Sequence, residues 1–375
     1  MSKKFDFIII GGGMAGASCA YFLSGKGRVL LLEMESQPGY HTTGRSAALF
    51  APSYGNNQIR ALSVGGQPFF FDPPSGFCEA PLLTPRGALF IGREDQLASL
   101  NETYEDASQM LDSLSRLSSA EVCELVPAMR ADYVAGGILD TGSLDMDVNA
   151  IHQGFLRGSR ANGTEQVSNA KVESLSRANG DWQVTAGGET YTTKTVINAA
   201  GAWCDQVAAL AGAKPVGLVP KRRTAIIFDG PTDMKFSDWP AFVDVDEEFY
   251  ARPESGAMMG SPADETPMDP CDVQPEELDI AIAVDRLQQA TTLEIKRITR
   301  SWAGLRSFVA DKTPVVGFDP AVEGFFWLAG QGGYGIQTAP GMGRTSAALA
   351  SGEEIPSDLV DLGASKTELS PERFA

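Results

Sequence analysis

The chain has 375 residues, 43% of them hydrophobic, and a formal net charge of −18. That length is too great for one simple domain and suits two domains sharing a cleft. The negative charge excludes nucleic acid as a partner, because such binding rests on neutralising phosphates. Five scattered cysteines, never spaced as CxxC, provide neither a disulfide framework nor a zinc site. With only His41 and His152, a histidine-rich metal centre is excluded as well, and no metal is expected. The cysteine usage fits a reducing cytoplasm.

Lys3 and Lys4 before the uncharged run 7–23 outline a signal peptide. Five residues of that run are glycine or serine, clustered where a turn falls, and Asp6 interrupts the approach. No stretch reaches the roughly 20 apolar residues of a membrane span. Residues 5–10 instead read as a short buried strand ending at glycine. Gly11, Gly13 and Gly16 then match GxGxxG, residues 15–23 read as a helix, and residues 28–32 as a second strand ending at Glu33. Gly11 permits the tight turn, Gly13 lets the backbone approach a pyrophosphate, and Gly16 lets helix pack on strand. The helix start, with Met14 and Ala15, offers free N–H groups to the anion. Glu33 can accept from ribose hydroxyls and would repel a 2′-phosphate, which disfavours NADP. NAD and FAD are not separated by this Rossmann-like unit.

Further along, residues 73–76 and 262–270 are rich in breakers and read as surface loops. Residues 148–160 read as a helix, with His152 a packed residue on it. Residues 195–199 form another strand, ending at Ala200 and Gly201 against the nucleotide. Residues 216–262 alternate like antiparallel strands, clearest at 224–228 and 241–245. A helix follows at 275–293 and a strand at 295–302. Residues 325–328 form an apolar strand before a second glycine-rich junction at Gly330, Gly332, Gly333 and Gly335. A helix is expected from Ile336 through Ala350, with Pro340 tolerated near its start. The acidic tail from Gly352 reads as a mobile surface segment.

Six runs carry a family resemblance: GYHTTGRSAA at 39–48, GFCE at 76–79, NAAGAWCD at 198–205, PKRR at 220–223, WAGLRSFVAD at 302–311 and QGGYGIQT at 331–338. On these the chain resembles the D-amino-acid oxidase superfamily of FAD enzymes, and within it the bacterial D-arginine dehydrogenases, along nearly its whole length. The resemblance implies an α/β fold: a Rossmann-like FAD-binding domain with a discontinuous α+β substrate domain built on a mainly antiparallel sheet. The FAD domain is expected at 1–80, 145–212 and 312–375, and the substrate domain at 81–144 and 213–311. No cysteine follows Cys271 to form a flavin link, so FAD is expected to be non-covalent, with His41 the alternative point of attachment.

By the same resemblance, His41, Thr42, Arg45, Ser46, Ala47, Ala48, Val172, Ala200, Gly201, Trp203, Arg306, Gly332, Gly333, Tyr334, Gly335, Ile336 and Gln337 join the glycine motif around the cofactor. His41 would hydrogen-bond the cofactor or local backbone. Arg223 and Arg306 match arginines that bind substrate carboxylate, a role suited to the planar guanidinium. Tyr54 and Tyr250 match tyrosines of that site, while Gln337 and the Gly333 carbonyl would sit beside the substrate amine or flavin. Arg222 is left as structural.

The side-chain pocket departs from the D-arginine pattern. Ala88 stands where those enzymes carry a glutamate, Leu49 where they carry a histidine, and Ala51 where they carry a threonine. Losing an acid opposite a guanidinium removes about 1.5–3 kcal/mol. The expected activity is therefore oxidative deamination of D-amino acids with neutral or apolar side chains. Oxidation of N-alkyl amino acids or 2-hydroxy acids is the alternative, and a flavin-binding accessory protein the non-enzymatic one. The expected electron acceptor is a quinone or other carrier. The expected location is cytoplasmic, with peripheral attachment at the inner membrane face as the alternative, and the oligomeric state is monomer or homodimer.

Overall fold

The computed structural model describes residues 3–109 and 111–374. Two large sheets organise the chain. In the first, five strands run parallel in the order Phe325–Ala329, Glu189–Asn198, Lys3–Ile10, Val29–Leu32 and Glu165–Val167. The meander Val172–Ala178 and Asp181–Ala186 extends Glu189–Asn198 antiparallel, and Val315–Phe318 adds an antiparallel strand beside Phe325–Ala329. Val29–Leu32 and Phe325–Ala329 are buried on both faces, which is why they read as continuous apolar runs. On one face Phe7, Ile9, Leu31, Ile197 and Phe326 meet the helices Met14–Leu23, Asn57–Phe71, Val148–Ala161 and Ala339–Ala350. On the other, Ile8, Ile10, Leu30 and Trp327 meet the meander and the helix Cys204–Leu210.

The second sheet is antiparallel apart from one pair. Its long strands Val219–Phe228 and Ile298–Phe308 lie side by side, and Ala257–Ser261, Tyr250–Glu254, Ala241–Asp244, Ala88–Gly92, Gly136–Asp140 and Leu114–Ser118 follow in order. Only Ala241–Asp244 runs parallel to its neighbour, Ala88–Gly92. A helix, Glu277–Ala290, packs on this sheet. The expected α/β fold, with a parallel nucleotide sheet and a mainly antiparallel second sheet, is therefore observed. Among the described residues no helix is long and apolar enough to cross a membrane.

Three sequence expectations are corrected. The last long helix is Ala339–Ala350 and not 336–350. Begun at Ile336, it would place Pro340 where its missing N–H breaks a helical hydrogen bond, whereas the observed start puts the proline in the first turn. The acidic tail is not a free segment: its helices Ser357–Asp361 and Lys366–Leu369 bury Leu359 and Leu369 completely. Gln58 seals it by donating to Gly363 O and accepting from Ser365 N. The 262–270 stretch is no simple surface loop, because Ala263 is buried in a left-handed conformation and Thr266–Pro267 forms an edge strand.

Candidate active site

The carboxyl ends of the parallel strands and one face of the second sheet enclose a cavity of about 1210 Å³. Its nucleotide end is built by glycines that nothing else could replace. Gly11 has φ +105°, and a Cβ there would lie 2.4 Å from Ala199 O; a Cβ on Gly16 would lie 1.9 Å from Gly11 O. Gly16 is thus a packing residue behind the turn, and it alone among the expected cofactor residues does not line the cavity. Glu33 is buried, accepting from Gly12 N at 2.8 Å and Glu35 N at 2.9 Å. Thr43 Oγ1 accepts from Met14 N at 2.9 Å. The N–H groups of Gly13 and Ala15, on the cavity wall, have no acceptor among the described residues. Such free donors at a helix start suit a pyrophosphate.

His41 and Arg45 line this region. His41 Nε2 pairs with Glu35 Oε1 at 2.9 Å while its ring packs tilted against Trp203. The Arg45 guanidinium is committed to Val273 O, Ala303 O and the Asp272 carboxylate, tying the 39–48 segment to the second sheet. Thr42 does the same by donating to Leu305 O at 2.7 Å. Ser46, Ala47, Ala48, Val172, Ala200, Gly201 and Trp203 line the cavity between.

The second glycine junction forms the facing wall. Gly332 has φ +51° and its Cβ position is filled by the Phe308 ring, while Gly333 lies against the guanidinium of Arg306, 2.9 Å from Cζ to the Cβ position. Tyr334, Gly335 and Ile336 complete this wall, and Gln331 Nε2 is buried there without a partner. Gln337 lines the cavity, and its amide is engaged there: its Oε1 accepts from Ala51 N at 3.2 Å and its Nε2 donates to Ser63 Oγ at 3.0 Å. These bonds brace Ala51.

At the other end Arg306 and Arg223 project from adjacent strands. Lys221 stands opposite Arg306 in register, and Arg223 lies two residues along the same face. The Arg306 guanidinium makes no hydrogen bond among the described residues, and its Nη1 is buried. Burial opposes its charge, but the surrounding Tyr54, Tyr250 and Glu247 outweigh it and keep its pKa above the ordinary value. Arg223 is buried and partly engaged, donating from Nε to Asp264 O at 2.9 Å and from Nη2 to Glu265 at 3.3 Å. Arg222 points away into an acidic cluster of Asp264, Glu276 and Asp279, the structural role expected of it. Tyr54 stacks on Tyr334 and donates to Glu247 Oε2 at 3.2 Å; burial pushes its pKa up, so the phenol stays neutral. Tyr250 also lines this end.

Leu49, Ala51 and Ala88 line the cavity together with Ala225, Ala241, Val243 and Met259, an apolar floor. Glu247 was invisible to sequence reasoning. It sits in the turn between Ala241–Asp244 and Tyr250–Glu254 with φ +58°, held by Glu247 N donating to Asp244 O. Nothing in the sequence run Asp246, Glu247 and Glu248 singles out one acid, and only the fold brings Glu247 to the Tyr54 hydroxyl.

A family model for FAD dependent oxidoreductases, DAO, matches residues 6–349. Glycine oxidase of Bacillus licheniformis is 24% identical over 96% of this chain and 97% of its own length. Mouse mitochondrial sarcosine dehydrogenase is 26% identical over 90% of this chain, which spans 39% of that longer protein. L-alpha-glycerophosphate oxidase from Mycoplasma pneumoniae, solved dithionite-reduced with FAD bound, superposes with a TM-score of 0.82 at 19% identity, covering 93% of this chain and 95% of that one. The free N–H groups at the first helix and the unpartnered Gln331 amide on the facing wall suit an elongated dinucleotide. The chain therefore belongs to the DAO family and is an FAD-dependent oxidoreductase.

Proposed function

We propose that the protein oxidises the α-carbon–nitrogen bond of a small amino acid, with D-amino acids bearing neutral or apolar side chains as the preferred substrates. The observation that carries this is the buried, unpartnered Nη1 of Arg306 beside an apolar floor. A buried donor without an acceptor is costly, and a bound carboxylate removes that cost. Arg223 supplies a second cation on the same strand face, and Tyr54 and Tyr250 supply hydroxyls. Bound FAD would supply the hydride acceptor for oxidation at the α-carbon. The imino acid then hydrolyses to a 2-oxo acid and ammonia.

The protein's part is orientation. Two arginines fix the carboxylate plane, and the floor of Leu49, Ala51 and Ala88 takes the side chain. Neither histidine stands at this end: His41 is paired with Glu35 and His152 with the glycine loop. An amine that arrives uncharged needs no base, and its proton is left in solvent. A quinone or other carrier is the proposed electron acceptor.

A second reading has specific support. A relative is named sarcosine dehydrogenase, which favours an N-alkyl amino acid. Anaerobic mixing with D- and L-amino acids, N-methyl amino acids and 2-hydroxy acids decides between them. Bleaching of the flavin absorbance by D-leucine or D-methionine, and not by their L-forms, is the expected result. Bleaching by N-methyl glycine alone would replace the substrate class while keeping the cofactor. D-Arginine outperforming the neutral D-amino acids would overturn the side-chain assignment.

A further inference from the structure

The geometry points to His152 as a positioning residue for FAD: by holding the Gly12 carbonyl it fixes the glycine turn so that the Gly13 and Ala15 N–H groups face the pyrophosphate. His152 lies on the helix Val148–Ala161, 140 residues from Gly12, and does not line the cavity. Its Nε2 reaches Gly12 O at 2.8 Å. The N–H of the same glycine donates to Glu33 Oε2 at 2.8 Å, so Gly12 is gripped on both sides. Rotating either flanking peptide would break one of these bonds and turn the free donors away from the ligand.

The Cε1–Nδ1 side of the same ring explains a second glycine. Gly39 has φ +83°, and a Cβ there would lie 2.7 Å from His152 Cε1 and 3.0 Å from Nδ1. The carbonyl of Gly39 accepts from Gly44 N at 2.8 Å, shaping the turn that carries Thr43 to Met14 N. One buried imidazole thus braces both walls of the nucleotide end, the glycine turn through a hydrogen bond and the 39–44 turn through contact. A carbonyl partner requires the proton on Nε2. Burial lowers the pKa of His152, which keeps the ring neutral in that tautomer. Its helix neighbours Ile151, Phe155 and Leu156 are fully apolar and buried, so packing alone calls for no donor at this position.

The test uses apoprotein and two ligands. FAD binding is followed by flavin fluorescence, and ADP, which carries the pyrophosphate without the flavin, by calorimetry. His152→Leu should weaken both by about tenfold, the worth of one oriented hydrogen bond. His152→Gln, which keeps an N–H donor, should recover most of the loss, and the substrate KM of the FAD-saturated enzyme should not change. A purely structural histidine would lower the melting temperature in both variants alike and leave ADP affinity as in the parent. That outcome, or a glutamine variant no better than leucine, overturns the inference. If His152→Leu does not fold, Gly39→Ala decides: it displaces the ring from the other side and should weaken ADP binding, and unchanged affinity there rejects the role.

Discussion

Arg306 and Ala88 carry the substrate assignment, and each can be tested by one exchange. Arg306→Met removes the charged guanidinium that lies against Gly333 while keeping much of the aliphatic stem. Truncating one partner of a buried charge contact costs about 2–5 kcal/mol, so kcat/KM should fall by roughly 30-fold or more. The FAD spectrum should persist, because the nucleotide end is built by other residues. An unchanged KM and kcat would remove the carboxylate role. Ala88 is fully buried on the floor. Ala88→Glu places a carboxylate where the floor is apolar, a position it tolerates only beside a cation. The variant should therefore gain at least about tenfold for D-arginine relative to D-leucine, from a charge-assisted bond of about 1.5–3 kcal/mol. Side-by-side kcat/KM values for the two substrates check this. What the sequence disclosed at this scale follows from distance along the chain. Gly11, Gly13, Gly16 and Glu33 form one local unit with fixed spacing, so their arrangement was readable. His152 and Gly12 meet only through packing of a helix 140 residues away, and Glu247 turns inward only through a left-handed turn. At Gln337 the motif reported position, and only the fold shows that the amide is bonded to Ala51 N and Ser63 Oγ.

The elements meet most tightly where two helices cross beneath the cavity. A Cβ on Gly341 would lie 2.3 Å from Leu62 O, so Asn57–Phe71 and Ala339–Ala350 approach backbone to backbone. Ser63, the next residue on the first helix, receives the Gln337 amide that braces Ala51. Gly341→Ala must push the helices apart, costing about 1–3 kcal/mol as overpacking. Thermal unfolding should show that loss, and KM should rise as the Ala51 wall shifts; an unchanged melting temperature would mean the crossing relaxes freely. A second joint is acid-sensitive. The Asp272 carboxylate bonds Arg45 and, at 3.1 Å, Tyr40, joining the 268–274 stretch to the nucleotide segment. The hydrogen bond from Arg45 holds its pKa below the ordinary 3.8. A lowered carboxylate pKa contributes stability above the unfolded value, and that contribution is lost as pH falls through the folded one. The melting-temperature difference between the parent and Asp272→Asn should therefore be constant above about pH 5 and close below pH 4. Strands were legible from apolar runs, yet this joint was not, since its parts lie more than 220 residues apart.

On the scale of the whole molecule, the tail shows how an acidic, polar-looking segment can be part of the core. Composition favoured a free surface stretch, because the segment is acidic and carries two prolines, yet Ile355, Leu359, Ala364 and Leu369 are spread among its polar residues. The fold gathers those four into the main helical cluster, with Leu359 against Gly65, Ser357–Asp361 seated on Asn57–Phe71 and Lys366–Leu369 on Val315–Phe318. Arg373 then reaches back to the Asp311 carboxylate at 2.8 Å and to Thr313 O and Pro314 O. Asp311 and Lys312 line the cavity, so the tail anchors one of its walls. Ending the chain after Gly352 removes two fully buried leucines, each worth about 1.5–3 kcal/mol of burial, uncovers the surface they pack on and frees the loop at Asp311. A loss of roughly 3–6 kcal/mol approaches the whole stability of a marginal domain. The shortened protein should therefore unfold at much lower denaturant and bind substrate weakly wherever it folds. Arg373→Ala separates the two effects: it keeps both leucines buried, so its denaturation midpoint should move little while KM rises. Equal midpoints for the shortened and full-length proteins would restore the reading of a free tail.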